Sequence, residues 1–136
     1  MDTVIDGDIS GIWDIPLDGC YFAASKEQHR CYEGLLYTNM GVTLFNLDLL
    51  RSSHKVDEVI EVLNRRRYTW VEQDVFNYLC QGHVAEMPSM YNVNTWTDPT
   101  DDKRIIHYAG IREYQQFAPY QKYQGIPFSD IRRASE

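Results

Sequence analysis

The residues whose types and spacing could do chemistry fall into short groups. Asp2 comes first, with Asp6 and Asp8 close behind. Carboxylates bind hard divalent cations through oxygen, and two at a strand end can share one ion. Solvated turn carboxylates are the other reading. Asn39-Met40-Gly41 stands at the head of an apolar run. A carboxamide there can donate to and accept from sugar hydroxyls, and the glycine lets a ligand approach the backbone. An ordinary turn before a strand also explains it. Glu72-Gln73-Asp74 opens a short helical pattern, where acids cap the first turn or point into a cleft at a sheet edge. His107 follows Ile105-Ile106 and precedes Tyr108-Ala109-Gly110. A histidine at a strand end can be a metal ligand held through its other ring nitrogen, or simply a hydrogen-bonded side chain. His29, His54 and His83 lie in polar surroundings and carry no assigned role.

These groups need elements to position them. The opening reads as a strand end followed by a turn around Gly7 and Gly11, and Gly19 closes a second turn after Pro16. Tyr21 to Ala24 reads as a short strand. Ser25 to Gly34 reads as a loop or short helix. Gly41 to Leu47 is rich in β-branched and aromatic residues and reads as a buried strand. Val56, Val59, Ile60 and Leu63 recur at helical spacing and form one apolar face. Asp57, Glu58 and Glu61 come early in that helix and Arg65, Arg66 and Arg67 late, as its dipole favours. The arginine run reads as a solvated helix end or as an anion site. Glu72 to Gln81 reads as a second helix stopped by Gly82. Asp98 to Asp102 is a loop, and Ile105-Ile106 a short strand. Strands alternating with helices place the chain in the α/β class.

The chain has 136 residues, 43% of them hydrophobic, with a formal charge of −7. That size suits one domain or part of one. The acidic balance argues against nucleic acid as a partner, which would call for a basic stripe. The 3 cysteines, Cys20, Cys31 and Cys80, have no metal-finger spacing and read as free thiols of a reducing compartment. No apolar run is long enough to span a bilayer and no basic-then-apolar leader is visible, so the expected location is cytoplasmic. Membrane association would have to come from segments outside this chain.

The order of the motifs adds what no single one supplies. Asp2 is followed by Asp8-Ile9-Ser10, Ile12-Trp13-Asp14, Tyr37-x-Asn39-x-Gly41-Val42, Asn46-Leu47, Gln73-Asp74-Val75-x-Asn77, Met87-Pro88, Tyr91-Asn92 and Ile106-His107-Tyr108-x-Gly110. This succession resembles glycosyltransferase family 8, the retaining transferases that include glycogenin-like and lipopolysaccharide galactosyl- and glucosyltransferases. The resemblance runs over residues 1–110 and leaves 111–136 as a tail in a single partial domain.

The resemblance implies a GT-A-type fold and transfer of a hexose or related sugar from a UDP-sugar donor, with retention, to a glycan, lipid-linked or protein acceptor. It implies Mn2+ or Mg2+ held by Asp2 and His107. Asn39, Gly41, Gly110 and Arg112 would then be substrate-binding, and Gln73, Asp74 and Glu72 would face the reacting sugar. Glutamine is a poor nucleophile, so no covalent intermediate is implied. The chain departs from the pattern in several places. Asp2 matches the second carboxylate of the family's D-x-D, whose first would precede Met1. Asp6-Gly7-Asp8 is a literal D-x-D, but only the distance from Asp2 to Trp13 fits. Glu113 stands where the family often has a diphosphate-binding Lys, with Arg112 beside it. Glu72 replaces the commoner Asp. The expectation is a fragment of a larger enzyme, truncated at its N-terminus and inactive alone. The alternative is a non-catalytic carbohydrate- or protein-binding module on a degenerate transferase scaffold.

Overall fold

The computed structural model describes residues 2–28 and 34–111. Within them the chain forms β1 (Thr3–Ile5), a 3-10 turn (Ser10–Asp14), β2 (Phe22–Lys26), β3 (Thr38–Phe45), α1 (Leu47–Ser52), α2 (Lys55–Arg65), α3 (Val71–Leu79), β4 (Val84–Glu86), a second 3-10 turn (Ser89–Tyr91) and β5 (Ile105–His107). One sheet runs in the order β3-β2-β4, with β2 antiparallel to β3 and parallel to β4. β1 and β5 form a separate antiparallel pair in which Thr3 lies opposite His107. The segment after the second 3-10 turn links the two sheets. Val93 bridges to Ile106, and Thr97 bridges to Glu27.

The apolar residues explain where the core sits. Ala23, Ile12, Met87, Tyr91 and Ile105 pack between the sheets. Phe22, Ala24 and Cys80 form a second cluster. There Phe76 of α3 meets the Phe22 ring edge-on at 6.0 Å and the Phe45 ring at 5.6 Å. Asn46 caps α1 by accepting from the Leu49 amide at 3.1 Å. Such a cap satisfies one of the amides that a helix start leaves unpaired.

The expected buried strand from Gly41 to Leu47 is corrected in both position and character. β3 starts at Thr38, and Leu47 already belongs to α1. Its deeply buried residues are the polar Thr38 and Asn39, while Phe45 is 36% exposed. The reason is that β3 is an edge strand whose polar end faces inward. The expected loop from Ser25 is also corrected, because Ser25 and Lys26 continue β2. Gly11 lies inside a 3-10 turn rather than an open one. On α2 only Val59 is buried; Val56 and Ile60 are 43% and 52% exposed. α3 ends at Leu79 with Cys80 as its cap, and Gly82 makes the left-handed turn beyond it at φ 77°.

The pairing of β2 with β3 is interrupted between Ala24 and Ser25. Ala24 lies opposite Thr43, but Ser25 lies opposite Asn39. Met40, Gly41 and Val42 therefore bulge from the ladder. A bulge re-aims side chains and frees backbone donors. No helix among the described residues is long and apolar enough to cross a membrane.

Candidate active site

The bulge is the centre of a buried polar network. Its freed backbone donors are taken up by side chains. Gln73 Oε1 accepts from the Met40 amide at 3.0 Å, and Asn39 Oδ1 accepts from the Gly41 amide at 3.1 Å. Asn39 Nδ2 donates to Glu27 Oε1 at 2.9 Å. Gln73 Nε2 donates to the same oxygen at 3.0 Å and to the Tyr37 hydroxyl at 3.1 Å. Tyr37 in turn donates to Asp74 Oδ1 at 2.7 Å. Asp74 Oδ2 accepts from the Trp70 amide at 2.9 Å, tying down the start of α3. Val71, the first residue of that helix, is held at φ 39°. A β-branched residue in that region is strained.

On the other side of Asn39 the network continues to the second sheet. Asn92 Nδ2 donates to the Asn39 carbonyl at 3.1 Å and to Asn39 Oδ1 at 3.0 Å. A backbone carbonyl can only accept, which fixes the Asn92 amide with its oxygen toward His107. That oxygen lies 2.9 Å from His107 Nδ1. Nδ1 therefore carries the hydrogen, and in the neutral ring Nε2 keeps its lone pair. Burial pushes the His107 pKa down, against the opposing pull of the Asp2 charge.

Nε2 faces Asp2 Oδ2 at 3.5 Å. β1–β5 pairing makes this contact, and the Tyr108 amide donates to the Asp2 carbonyl at 2.8 Å. A bare nitrogen and a carboxylate oxygen facing each other are two acceptors that a shared cation would satisfy. A small divalent ion about 2.1 Å from each would set the two atoms about 3 Å apart, close to the observed spacing. The pair fits two ligand positions. No group of three His, Cys, Asp or Glu converges on one ion among the described residues.

Gly41 has a different partner from the one expected. A Cβ there would lie 1.8 Å from His107 Cε1 and 2.2 Å from Nδ1. The glycine makes room for the imidazole and is itself exposed. Asn39 is 5% exposed, and its amide is engaged on both sides within the protein. Glu72 is exposed on the first turn of α3. Gly110 takes a left-handed turn at φ 71° after Tyr108. Arg112 lies outside the described residues.

The structure thus brings Asp2, Asn39, Gly41, Gln73, Asp74 and His107 into one continuous set of contacts. It adds Glu27, which sequence reasoning left in a polar stretch. The signal was there, since a carboxylate directly after an apolar strand faces the same end as Ser25. Asn92 and Tyr37 belonged to quoted motifs without a role. Asn77 is fully buried on α3 and binds the backbone of Thr38 through both atoms of its amide, at 2.7 and 2.8 Å.

Comparison with known proteins points to one family. A family model described as "Glycosyl transferase family 8" matches residues 1–112. A Haemophilus influenzae protein named as a candidate glycosyltransferase is 25% identical over 114 residues, covering 74% of this chain and 33% of its own. The chain thus spans about a third of that relative's length. The glycosyltransferase GlyE of Streptococcus pneumoniae TIGR4 superposes with a TM-score of 0.74 at 19% identity, covering 98% of this chain and 40% of GlyE. An active-site mutant of LgtC superposes at 0.71 with 18% identity, covering 94% of this chain and 61% of LgtC. The galactosyltransferase LgtC has also been solved with donor and acceptor sugar analogs. The α/β fold is the GT-A-like fold of these structures, of which the chain spans a part.

Proposed function

The chain belongs to glycosyltransferase family 8, and from that premise we propose that it carries part of the active site of a metal-assisted sugar transferase. The donor is a UDP-sugar, the transferred group a hexose or a related sugar, and the acceptor a glycan, lipid-linked sugar or protein. Configuration at the transferred carbon is retained. The observation that carries the reading is the Asp2–His107 contact at one end of a network whose other end holds Gln73 and Asp74.

Asp2 and His107 would hold Mn2+ or Mg2+. When bound, such an ion stabilises the charge that gathers on a departing diphosphate. The residues of the chain do the rest by position. Asn92 holds Nδ1 of His107 and so presents Nε2. Gln73 uses both amide hydrogens internally and has one carbonyl lone pair left beyond the Met40 amide. That oxygen can support positive charge on a sugar carbon without acting as a nucleophile. Both oxygens of Asp74 are held by hydrogen bonds, so its carboxyl group is fixed in place.

The test is manganese-dependent release of UDP from UDP-glucose and UDP-galactose by a full-length enzyme carrying these residues and by its His107→Ala variant. Expected is metal-dependent release that the variant loses. A folded wild-type protein that releases no UDP while still binding glycans would instead support the non-catalytic module.

A further inference from the structure

Beside Asp74 lies a cleft of about 790 Å³ whose lining includes Arg65, Arg66 and Arg67. That volume is in the range of small-ligand sites. Tyr37 and Asp74 also line it, so the cleft adjoins the network at the end away from Asp2 and His107.

Its polar balance is one-sided. The Asp74 carboxylate already accepts from Tyr37 and Trp70. The oxygen of Asn77 already accepts from the amide and hydroxyl of Thr38. Among the arginines, Arg65 pairs with Glu61. Arg66 lies over the Tyr68 ring at 4.7 Å. Among the described residues, no carboxylate is recorded in an ion pair with Arg66 or Arg67. Two guanidinium groups thus line a cleft whose carboxylate, Asp74, is already engaged by hydrogen bonds, in a chain of net charge −7. Guanidinium forks match phosphate oxygens in pairs. Tyr68 and Tyr78 line the same cleft, and the latter is 76% exposed. Aromatic faces of this kind suit sugar rings.

We propose that this cleft takes a phosphate-bearing saccharide, its phosphate on Arg66 and Arg67 and its ring against the tyrosines, and that this saccharide is the acceptor. The acceptor role rests on the transferase reading above. The anion is not the donor's diphosphate, because the candidate metal pair lies at the other end of the network.

The test titrates the protein with maltose 1-phosphate, maltose, inorganic phosphate and UDP, followed by amide NMR shifts, and repeats it with Arg66→Gln/Arg67→Gln. Expected is maltose 1-phosphate binding at least about tenfold tighter than maltose or phosphate alone, lost to a similar degree in the double variant, as for removal of charge-assisted hydrogen bonds. The shifted amides should include Tyr68 and Asp74. Equal binding of maltose and its phosphate, equal binding of inorganic phosphate, displacement by UDP, or an unaffected double variant would each overturn the proposal. Manganese-dependent UDP release by the full-length wild-type enzyme is measured in parallel. If it releases no UDP while the phosphosugar still binds at the arginines, the cleft stands and the transferase reading, with the acceptor role, fails.

Discussion

The two ends of the β2–β3 pair are built from opposite materials at similar depth. At one end Phe22 lies opposite Phe45 and Ala23 opposite Leu44. At the other Ser25 lies opposite Asn39 and Lys26 opposite Thr38, with Glu27 just beyond. Phe22 is 0% exposed, and Glu27 and Asn39 are only 3% and 5% exposed. The bulge at Met40–Val42 separates the two. The apolar end is held by contact area, which has no direction. The polar end is held by hydrogen bonds, which are directional. Damage should therefore be read as lost stability at one end and as lost geometry at the other.

A large stability effect belongs to the apolar end. Phe22→Ala removes a fully buried ring that packs on Phe45 and Phe76. Such a change should cost about 3–5 kcal/mol in urea unfolding. Ligand binding by the fraction still folded should be unchanged. A selective loss of binding with intact stability would break the division between the ends.

Glu27 tests the polar end. Glu27→Leu leaves the amides of Asn39 and Gln73 without their shared acceptor. At about 1–3 kcal/mol for each stranded group, the loss should reach about 2–6 kcal/mol. Glu27→Gln keeps one oxygen for both amides and should cost about 1 kcal/mol. A wide gap between these two variants marks a directional site; equal costs would mean that Glu27 merely fills space.

Gly41→Ala should cost about 1–3 kcal/mol through overpacking, but its main effect is local. The added methyl occupies the position of the His107 ring. The ring must leave Asn92 or Asp2. Long-range proton–nitrogen NMR of the imidazole should show Nδ1 protonated in the wild type and a mixture of tautomers in the variant. Manganese affinity should fall by about 10–100-fold, as when the support of a metal-binding histidine is lost. An unchanged imidazole spectrum would show that the strand, not the histidine, gives way.

The same division explains what could be read from the amino-acid order. The helix over Lys55–Arg65 announces itself by apolar spacing, that over Val71–Leu79 by its acidic start and the Gly82 stop, and β5 by Ile105-Ile106. Gln73 and His107 stand out because their residue types suit chemistry. β3 was misread because its pattern is apolar at the exposed end and polar at the buried end. Composition cannot show that a strand's polar head is its inside when the partners are Asn77 and Asn92, 39 and 53 residues from Thr38 and Asn39 respectively. The position of Glu27 after an apolar strand hints at its place, but its partners on β3 and α3 are not encoded locally. The role of Gly41 depends on a ring 66 residues away in sequence, and no local pattern encodes that approach.

The smallest effect is a pH signature of the apolar end. Burial pushes the Cys80 thiol from 9.0 to about 11, with Lys55 pulling it partly back. The folded protein therefore keeps this proton over a range where the unfolded chain gives it up. Below pH 9 both states hold the proton and Cys80 adds no pH dependence. Between pH 9 and about 11 the unfolded chain is favoured by deprotonation, so stability should fall as pH rises. Cys80→Ala should remove that part of the slope at the cost of a small cavity. Glu27→Gln should leave it in place, because Glu27 belongs to the polar end. If Glu27→Gln altered the alkaline slope as much as Cys80→Ala, the two ends would be one coupled unit, and the bulge would not divide them.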